Sequence, residues 1–396
     1  MEQSVLEKVY RKLNTVSVFE GVLDAPLLRA FFAYAKAESQ IEKLRAYGAF
    51  VAEIYRGGGS LVALVSRLVF EDENVYIKAR AKDEILPACI GQAVEKELKT
   101  FSAFASLTTE DFALDMGLIG EEKETLPTYQ TAAISLVQSY EMRANGVGRY
   151  GYGVFSSHPM FRIDDERQIR PIVSADKTAM EKFIGYERER GLVEENTRAF
   201  LAGKPAANVL LCGDAGTGKS STVKALVNAY YAQGLRLIEI RKDQLFMLPY
   251  VMGKIAENPL KFILFIDDLS FNKNDDNFSM LKAALEGSAS ARADNAVIYA
   301  TSNRRHIVKE NFVDREGGDV HRNDTLQETL SLSERFGLTV LFSKPDKKLY
   351  LAIVRGLARR HGIEVNEDLE IRAEAFALRK GNRSARCAEQ FIDSLL

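Results

Sequence analysis

The pattern of apolar and polar positions first shows a long helical region. Over residues 1 to about 145, apolar residues recur at helical spacing, as in Leu27–Ala35, with polar breaks such as Arg56–Ser60 between them. The sequence Thr108–Asp111 is typical of a capped helix start, and the apolar stretch Thr131–Tyr140 predicts a further helix. We therefore expect a helical accessory domain over residues 1–145. Its sequence suggests no chemistry, and a role in binding a specific partner stays open.

Residues 146–175 have a different composition, rich in Gly, Tyr, Ser and Pro. Such a composition predicts a linker or an extended segment. The aromatic-glycine run Arg149–Gly153 would allow stacking on nucleic-acid bases, although runs of this kind are more often packed loops.

From residue 176 onward, short apolar runs alternate with helical patterns. Strands are predicted at Val209–Cys212, Arg236–Ile240, Phe262–Ile266, Val297–Ala300 and Leu338–Phe342. Strands that alternate with helices predict an α/β fold with a parallel sheet between two layers of helices. Helical patterns return near the C-terminus. We therefore expect an α/β core over residues 176–343 and a helical lid over residues 344–396.

The stretch Val209–Leu226 contains the most informative motif of the chain. A buried strand, a glycine-rich loop and a helix follow one another, and the loop matches G-x-x-x-x-G-K-S. Glycines let backbone N–H groups close around phosphate oxygens, and the helix N-terminus adds its positive end. Lys219 can reach the β- and γ-phosphates, and the Ser220 hydroxyl can coordinate Mg²⁺. The predicted nucleotide-binding residues are Gly213, Asp214, Ala215, Gly216, Thr217, Gly218, Lys219, Ser220 and Ser221.

Polar side chains follow two later strands of the predicted sheet. Asp267 and Asp268 end the apolar run Phe262–Ile266, at the sheet edge where ligands bind in open α/β folds. We expect Asp267 to hold Mg²⁺, through water, and Asp268 to polarise an attacking water. Asn303 follows the next strand and can hydrogen-bond the γ-phosphate or that water, although an Asn in this position is often only a turn residue.

Composition and charge narrow the function classes. The chain is 46% hydrophobic and 27% charged with a net charge of −2, as in an ordinary globular protein, and it lacks the basic surplus of a non-specific nucleic-acid binder. Cys89, Cys212 and Cys387 are odd in number and far apart, so they form neither a metal motif nor a disulfide framework. We expect a cytoplasmic protein without a signal peptide or a membrane span.

The order of these motifs resembles that of the AAA+ ATPases over roughly residues 175–396. The strings GDAGTGKSS, FILFIDDLSF, VIYATSNRRH and LSLSERFGL are similar to a bacterial AAA+ family catalogued only as domain of unknown function 815. In that resemblance, Lys219 and Ser220 match Walker A, and Asp267 and Asp268 match Walker B. The other implied site residues are Asn303 as sensor 1, Arg335 as the arginine finger, Arg386 as the sensor 2 arginine, with Arg383 as its alternative, and Ile184 as a nucleotide contact.

The resemblance implies an ATPase that uses ATP and Mg²⁺. In resembling proteins the arginine finger projects into the nucleotide site of a neighbouring subunit, so Arg335 implies a homo-oligomer, expected to be a ring and conceivably a hexamer. The family usually has Glu where this chain has Asp268, which is one methylene shorter and leaves the rate of hydrolysis open. The macromolecule on which such an ATPase would act, protein or nucleic acid, is not indicated.

Two other functions remain as alternatives. One is an ATP-gated switch or scaffold that hydrolyses little, which the shorter Asp268 side chain would suit. The other is a P-loop kinase of a small molecule, which Arg335, Arg386 and a helical lid disfavour.

Overall fold

The computed structural model describes residues 4–174, 178–270, 276–286, 293–303 and 335–396. The chain divides between Ser157 and His158 into two compact units, here called the N-terminal and C-terminal units. Residues 146–175, predicted as a linker, supply elements to both units. The domain boundaries drawn from the sequence remain predictions.

The described part of the N-terminal unit is helical, as the apolar spacing predicts. Its helices are α1 (Val5–Leu13), α2 (Glu20–Leu23), α3 (Pro26–Lys36), α4 (Gln40–Arg56), α5 (Leu61–Glu71), α6 (Val75–Ala81), α7 (Ala88–Ala105), α8 (Thr109–Asp115), α9 (Glu121–Glu124), α10 (Leu136–Asn145) and α11 (Val147–Tyr150), followed by a 3₁₀ helix at Gly153–Ser156. Fully buried aromatic rings fill its core, and the centroids of Phe31 and Phe104 lie 4.9 Å apart in an edge-to-face contact.

Side-chain hydrogen bonds decide two helix starts in this unit. The predicted cap at Thr108 is confirmed, because its Oγ1 accepts from the Asp111 N–H at 3.2 Å and the Asp111 carboxylate accepts from the Thr108 N–H at 2.8 Å. The helix predicted from Thr131 begins only at Leu136, so that start is wrong. The Thr131 hydroxyl donates to the Ala105 carbonyl at 2.6 Å, which holds the segment against the end of α7 instead of in a helix.

One buried carboxylate organises the N-terminal unit. Glu97 on α7 is 6% exposed, and its two oxygens accept from the N–H groups of three consecutive residues: Ser17 at 2.9 Å, Val18 at 3.0 Å and Phe19 at 3.0 Å. The carboxylate thus satisfies three backbone donors just before α2, of which the Phe19 N–H is buried.

We expect Glu97→Ala to lower the free energy of unfolding by about 3 kcal/mol, because it leaves several donors without an acceptor. Glu95→Ala is the matched control, since Glu95 lies on the same helix and, among the residues that the structure describes, forms an ion pair only with exposed Lys99. Urea unfolding of the full chain followed by circular dichroism measures both. Similar midpoints for the two variants would contradict this role of Glu97.

The C-terminal unit is built on one sheet. Its described strands are β1 (Met160–Ile163), β2 (Ile169–Pro171), β3 (Val209–Gly213), β4 (Leu235–Glu239), β5 (Lys261–Ile266), β6 (Ala296–Ser302) and β7 (Leu338–Phe342). Their order is β2-β1-β4-β5-β6-β3-β7, and every neighbouring pair is parallel except β1 with β2. The fold class predicted from the alternating pattern, a parallel α/β sheet followed by helices, is confirmed.

The helices of this unit follow the strands in alternation and then close the chain. They are α12 (Glu187–Leu201), α13 (Lys219–Tyr230), α14 (Leu248–Ile255), α15 (Asp276–Glu286), α16 (Lys347–Arg360), α17 (Glu367–Arg379) and α18 (Ala385–Asp393), with 3₁₀ helices at Met180–Lys182, Tyr231–Gln233 and Lys242–Met247. Helix α14 begins at Leu248 and has Pro249 in its first turn, where proline is well suited. The last three helices pack around their own apolar core and form the lid.

The short strands β1 and β2 were not predicted as part of the sheet. β1 has only four residues and pairs with β4 from Met160 opposite Leu237 onward, inside a segment rich in turn residues. No helix in the described ranges has the length and apolar character needed to cross a membrane.

Candidate nucleotide-binding and catalytic site

The phosphate loop joins β3 to α13, and its backbone requires glycine. Gly213 has φ +129°, and a Cβ there would lie 2.0 Å from the carbonyl oxygen of Phe342 on β7. Gly218, which caps α13, has φ +89°. Both positions are strained for other residues, so the glycines of the motif are explained by the turn and by the close approach of β7.

The loop presents unused hydrogen-bond donors. Within the described residues, the backbone N–H groups from Gly216 to Ser220 donate to no protein acceptor. Apart from Gly218 and its two chain neighbours, no heavy atom of the described residues lies within 4 Å of the place where a Cβ of Gly218 would stand. An open row of N–H groups at the start of a helix favours an anion, and its shape fits phosphate.

Lys219 lies in this cradle with its ammonium group held by the protein itself. Its Nζ donates to the carbonyls of Gly213 at 2.9 Å and Asp214 at 2.7 Å, and to Oδ1 of Asn303 at 3.1 Å. The residue is 5% exposed, and burial lowers the pKa of its ammonium against the opposing effect of nearby carboxylates. A phosphate group would supply the negative charge that this buried cation lacks.

The first aspartate after β5 lies beside the hydroxyl expected to bind metal. Ser220 Oγ donates to Asp267 Oδ1 at 2.6 Å, and the Thr301 hydroxyl donates to the same oxygen. A carboxylate and a hydroxyl side by side are ligands that Mg²⁺ accepts, with water completing its shell. The donor set of Ser220 and Asp267 therefore fits Mg²⁺, and these two residues would hold it.

The second aspartate is joined to the end of β6. Asn303 Nδ2 donates to Asp268 Oδ1 at 2.8 Å, and the Asp268 N–H donates to Thr301 Oγ1 at 2.9 Å. Asp268 has φ +52°, the left-handed region that a non-glycine residue rarely adopts. Asn303 thus connects Lys219 with Asp268. The sequence did not single out Thr301, although the strand pairing of Ile266 with Ala300 places Thr301 next to Asp267.

The structure separates the two arginines proposed for sensor 2. Arg383 pairs with Glu374 through two hydrogen bonds, at 3.1 and 2.9 Å. Arg386 lines the cleft beside the phosphate loop, its N–H donates to the Gly216 carbonyl at 3.3 Å, and its side chain pairs with no other described residue. The geometry therefore favours Arg386 as the nucleotide contact.

Arg335 is far from the phosphate loop of its own chain. It precedes β7 by three residues, and β7 runs parallel to β3 with Leu338 opposite Val209 and Phe342 opposite Gly213. Arg335 therefore lies near the amino ends of these strands, whereas the loop leaves the carboxyl end of β3. A strand of five residues spans about 16 Å. Arg335 is not among the residues that line the cleft.

The cleft has a volume of about 350 Å³, within the range of small-molecule sites. Its polar part is the phosphate loop from Ala215 to Ser221 with the strand-end residues. Its other lining residues are Lys182, Phe183, Ile184, Tyr186, Arg190, Ile353, Leu357, Ala385, Arg386 and Glu389. Ile184 was expected here. Ile353 and Leu357 were not, since their helical spacing equally fits a lid core.

Two of the predicted loop residues, Gly213 and Asp214, lie behind the cleft. The Asp214 N–H donates to the Phe342 carbonyl at 3.2 Å, and its Oδ2 accepts from the Lys344 N–H at 2.9 Å. The Tyr186 hydroxyl donates to the Ser343 carbonyl at 2.6 Å. These contacts fasten the loop to the segment that leads from β7 into the lid.

The arrangement of a phosphate loop in a parallel sheet, followed by a helical lid, is an AAA+ ATPase-like fold. Residues 156–396 match the family described as Protein of unknown function (DUF815), and the chain belongs to this family. The resemblance to that family stated above is confirmed.

Solved structures with some similarity include RuvB of Thermotoga maritima. A single-residue variant of that protein is 17% identical in sequence to this chain. The match covers 56% of this chain and 72% of that chain, with a TM-score of 0.34. The structure titled RuvB Holliday junction branch migration motor, from the same organism, is 14% identical over 56% of this chain and 72% of that chain, with a TM-score of 0.33. A comparison with curated proteins found no match.

We expect Arg386→Ala to weaken ATP binding about tenfold, because one charge-assisted contact with phosphate is lost, and to leave the melting temperature nearly unchanged. Arg383→Ala is the matched variant, since it removes a lid ion pair and should lower the melting temperature with little effect on affinity. Isothermal titration calorimetry and thermal unfolding measure the two effects. The reverse pattern would assign the nucleotide contact to Arg383.

Proposed function

We propose that this protein is a Mg²⁺-dependent ATPase whose complete catalytic site forms between subunits. The observation that supports it best is the hydrogen-bonded set at one sheet edge. Lys219, Asn303 and Asp268 form one chain of contacts, and Ser220 with Asp267 forms the adjoining metal-ligand pair. These are the groups that phosphoryl transfer to water requires: a phosphate cradle, metal ligands and a carboxylate for the attacking water.

Each residue of the chain has a defined task in this proposal. Bound Mg²⁺ would neutralise charge on the phosphate oxygens and would be held by Ser220 and Asp267. Lys219 exchanges its backbone carbonyl partners for phosphate oxygens. Asp268 accepts a hydrogen bond from the attacking water and orients it, and Asn303 fixes the position of that carboxylate. Arg386 contacts the phosphate from the lid side of the cleft.

The proposed site needs one more cation from outside the chain. Arg335 starts from the opposite edge of the sheet, so it cannot serve its own phosphate loop without a large rearrangement. In a homo-oligomer it would stand at a neighbour's cleft. An arginine supplied in this way is worth a factor of 10³–10⁵ in the rate of GTP hydrolysis in the systems where it has been measured. The proposed oligomer is a ring acting on a protein or nucleic-acid partner.

A second candidate, an ATP-gated switch with little hydrolysis, is favoured by one specific observation. The Asp268 carboxylate already accepts from Asn303 at 2.8 Å, and its side chain is shorter than the usual Glu. A carboxylate that is shorter and already hydrogen-bonded to Asn303 is less available to the attacking water. Nothing in the cleft favours the third candidate, a small-molecule kinase.

The composite site predicts that phosphate release per subunit rises with protein concentration. We expect Lys219→Ala to abolish ATP binding, and Arg335→Ala to retain binding and lose about 10³-fold or more in turnover. Arg188→Ala is the control, because Arg188 is exposed on α12 and is not one of the residues that line the cleft. Phosphate release from ATP across a hundredfold range of protein concentration checks this. Turnover that is independent of concentration and of Arg335 would refute a site shared between subunits.

The role of Asp268 separates the ATPase from the switch. In the ATPase, Asp268→Asn keeps ATP affinity and loses about 10²–10⁴-fold in turnover, since the amide cannot accept the proton of water. In the switch, the wild type binds ATP tightly and releases almost no phosphate, and Asp268→Glu gains activity because the longer side chain reaches the water. Single-turnover assays with radiolabelled ATP distinguish the two results.

A further inference from the structure

A third carboxylate lines the cleft without a role in the proposed chemistry. Among the described lining residues, the acidic ones are Asp267, Asp268 and Glu389. Glu389 lies on the lid helix α18, one turn after Arg386, and residues three apart share a helix face. Its carboxylate accepts no hydrogen bond and forms no ion pair within the described residues. Burial raises the pKa of this carboxyl, as does Asp393 nearby, whereas Arg386 and Arg360 lower it.

Glu389 is exposed to solvent at the wall of the cleft, and a ligand that fills the cleft would replace the water around its carboxylate. The site is otherwise suited to a polyanion, and a carboxylate near triphosphate disfavours binding by repulsion. It stabilises the complex only if its oxygens accept from donor groups of the ligand. On a nucleoside triphosphate, such donors are the ribose hydroxyls and the amino group of the base.

The position of Glu389 along the cleft points to the sugar. The Arg386 N–H donates to the Gly216 carbonyl, which fixes the first turn of α18 at the phosphate loop. Glu389 is three residues farther on, about 4.5 Å along the helix axis. The apolar lining residues Ile353 and Leu357 belong to the apolar core of the last helices, with Ile184 packed against it, and together they offer a surface that suits a base. A nucleotide with its phosphates in the loop and its base on these residues has its ribose between them.

We propose that Glu389 accepts hydrogen bonds from the ribose hydroxyls of the bound nucleotide and makes the site prefer ribonucleotides to 2′-deoxyribonucleotides. The assignment rests on the proposed function, because it requires that the cleft bind a nucleoside triphosphate. It adds to that function a residue for sugar recognition, placed on the lid. Binding of the sugar by Glu389 would also draw α18 towards the nucleotide, with Arg386 on the same face.

The test is the affinity of the full-length protein for ATP and for 2′-deoxy-ATP, each with Mg²⁺, measured by isothermal titration calorimetry. The wild type should bind ATP about tenfold more tightly, the usual effect of a hydrogen bond to a charged group. In Glu389→Ala this ratio should fall to about one, and Glu389→Gln should be intermediate because an amide oxygen still accepts. Glu364→Gln is the control, an exposed lid glutamate outside the cleft lining, and should keep the wild-type ratio. The ratio is the measure because loss of repulsion changes the affinity for both nucleotides alike.

Several results would overturn the assignment. Equal affinity of the wild type for the two nucleotides would do so, as would a ratio that survives in Glu389→Ala. A preference for ATP over inosine triphosphate that vanishes in Glu389→Ala, with the sugar ratio intact, would assign the carboxylate to the base. Failure of the proposed function looks different: the wild type would bind no nucleotide, or Lys219→Ala would bind as tightly as the wild type. That result would overturn both proposals.

Discussion

The parallel pairing of β5 with β6 and of β6 with β3 is the constraint on which the whole site depends. The residues that follow the carboxyl ends of parallel strands lie at the same edge of a sheet, so side chains far apart in sequence meet there. Lys219 and Asn303 are 84 positions apart and lie in hydrogen-bond contact at 3.1 Å. A slip of one residue between β5 and β6 would turn the side chains of Asp267 and Asp268 each to the other face of the sheet. It would also separate them from Thr301 and Asn303. The burial of β5 and β6 on both faces makes such a slip costly, because most of their residues have no solvent-facing alternative.

The phosphate loop contacts both the segment that leads into the lid and the lid itself. At its start, Gly213 and Asp214 contact Phe342 and Lys344, and near its middle the Gly216 carbonyl accepts from Arg386. Tyr186 holds the same lid-leading segment through the Ser343 carbonyl. A phosphate that reshapes the loop must therefore act on the lid through bonds already in place. This direct attachment gives a physical route from nucleotide binding to lid position, without any need for a distant relay.

The parts of the site predicted from sequence are those fixed by local rules. The glycine loop, Lys219 and Ser220 follow from a contiguous motif, and Asp267 follows from the end of an apolar run. Thr301 was overlooked because its importance comes from strand register, and Glu389 because a glutamate on an amphipathic helix is ordinary until the neighbouring elements are known. The late start of α10 was missed because it depends on the long-range hydrogen bond between Thr131 and Ala105. The strands β1 and β2 were missed because the pairing of β1 with β4 is also a long-range contact, which overrides the local pattern. The choice between Arg383 and Arg386 was open in the sequence, and it depends on long-range contacts, the pairing of Arg383 with Glu374 and the place of Arg386 in the cleft lining.

The geometry separates nucleotide binding from nucleotide turnover. The groups suited to bind phosphate and metal all come from one chain and already contact one another. The groups that would complete hydrolysis do not all come from one chain, since Arg335 lies toward the far edge of the sheet. If the proposed function is correct, an isolated subunit should therefore bind ATP while its hydrolysis waits for assembly. The two candidate functions then differ in whether the Asp268 carboxylate, held in place by Asn303, reaches the attacking water.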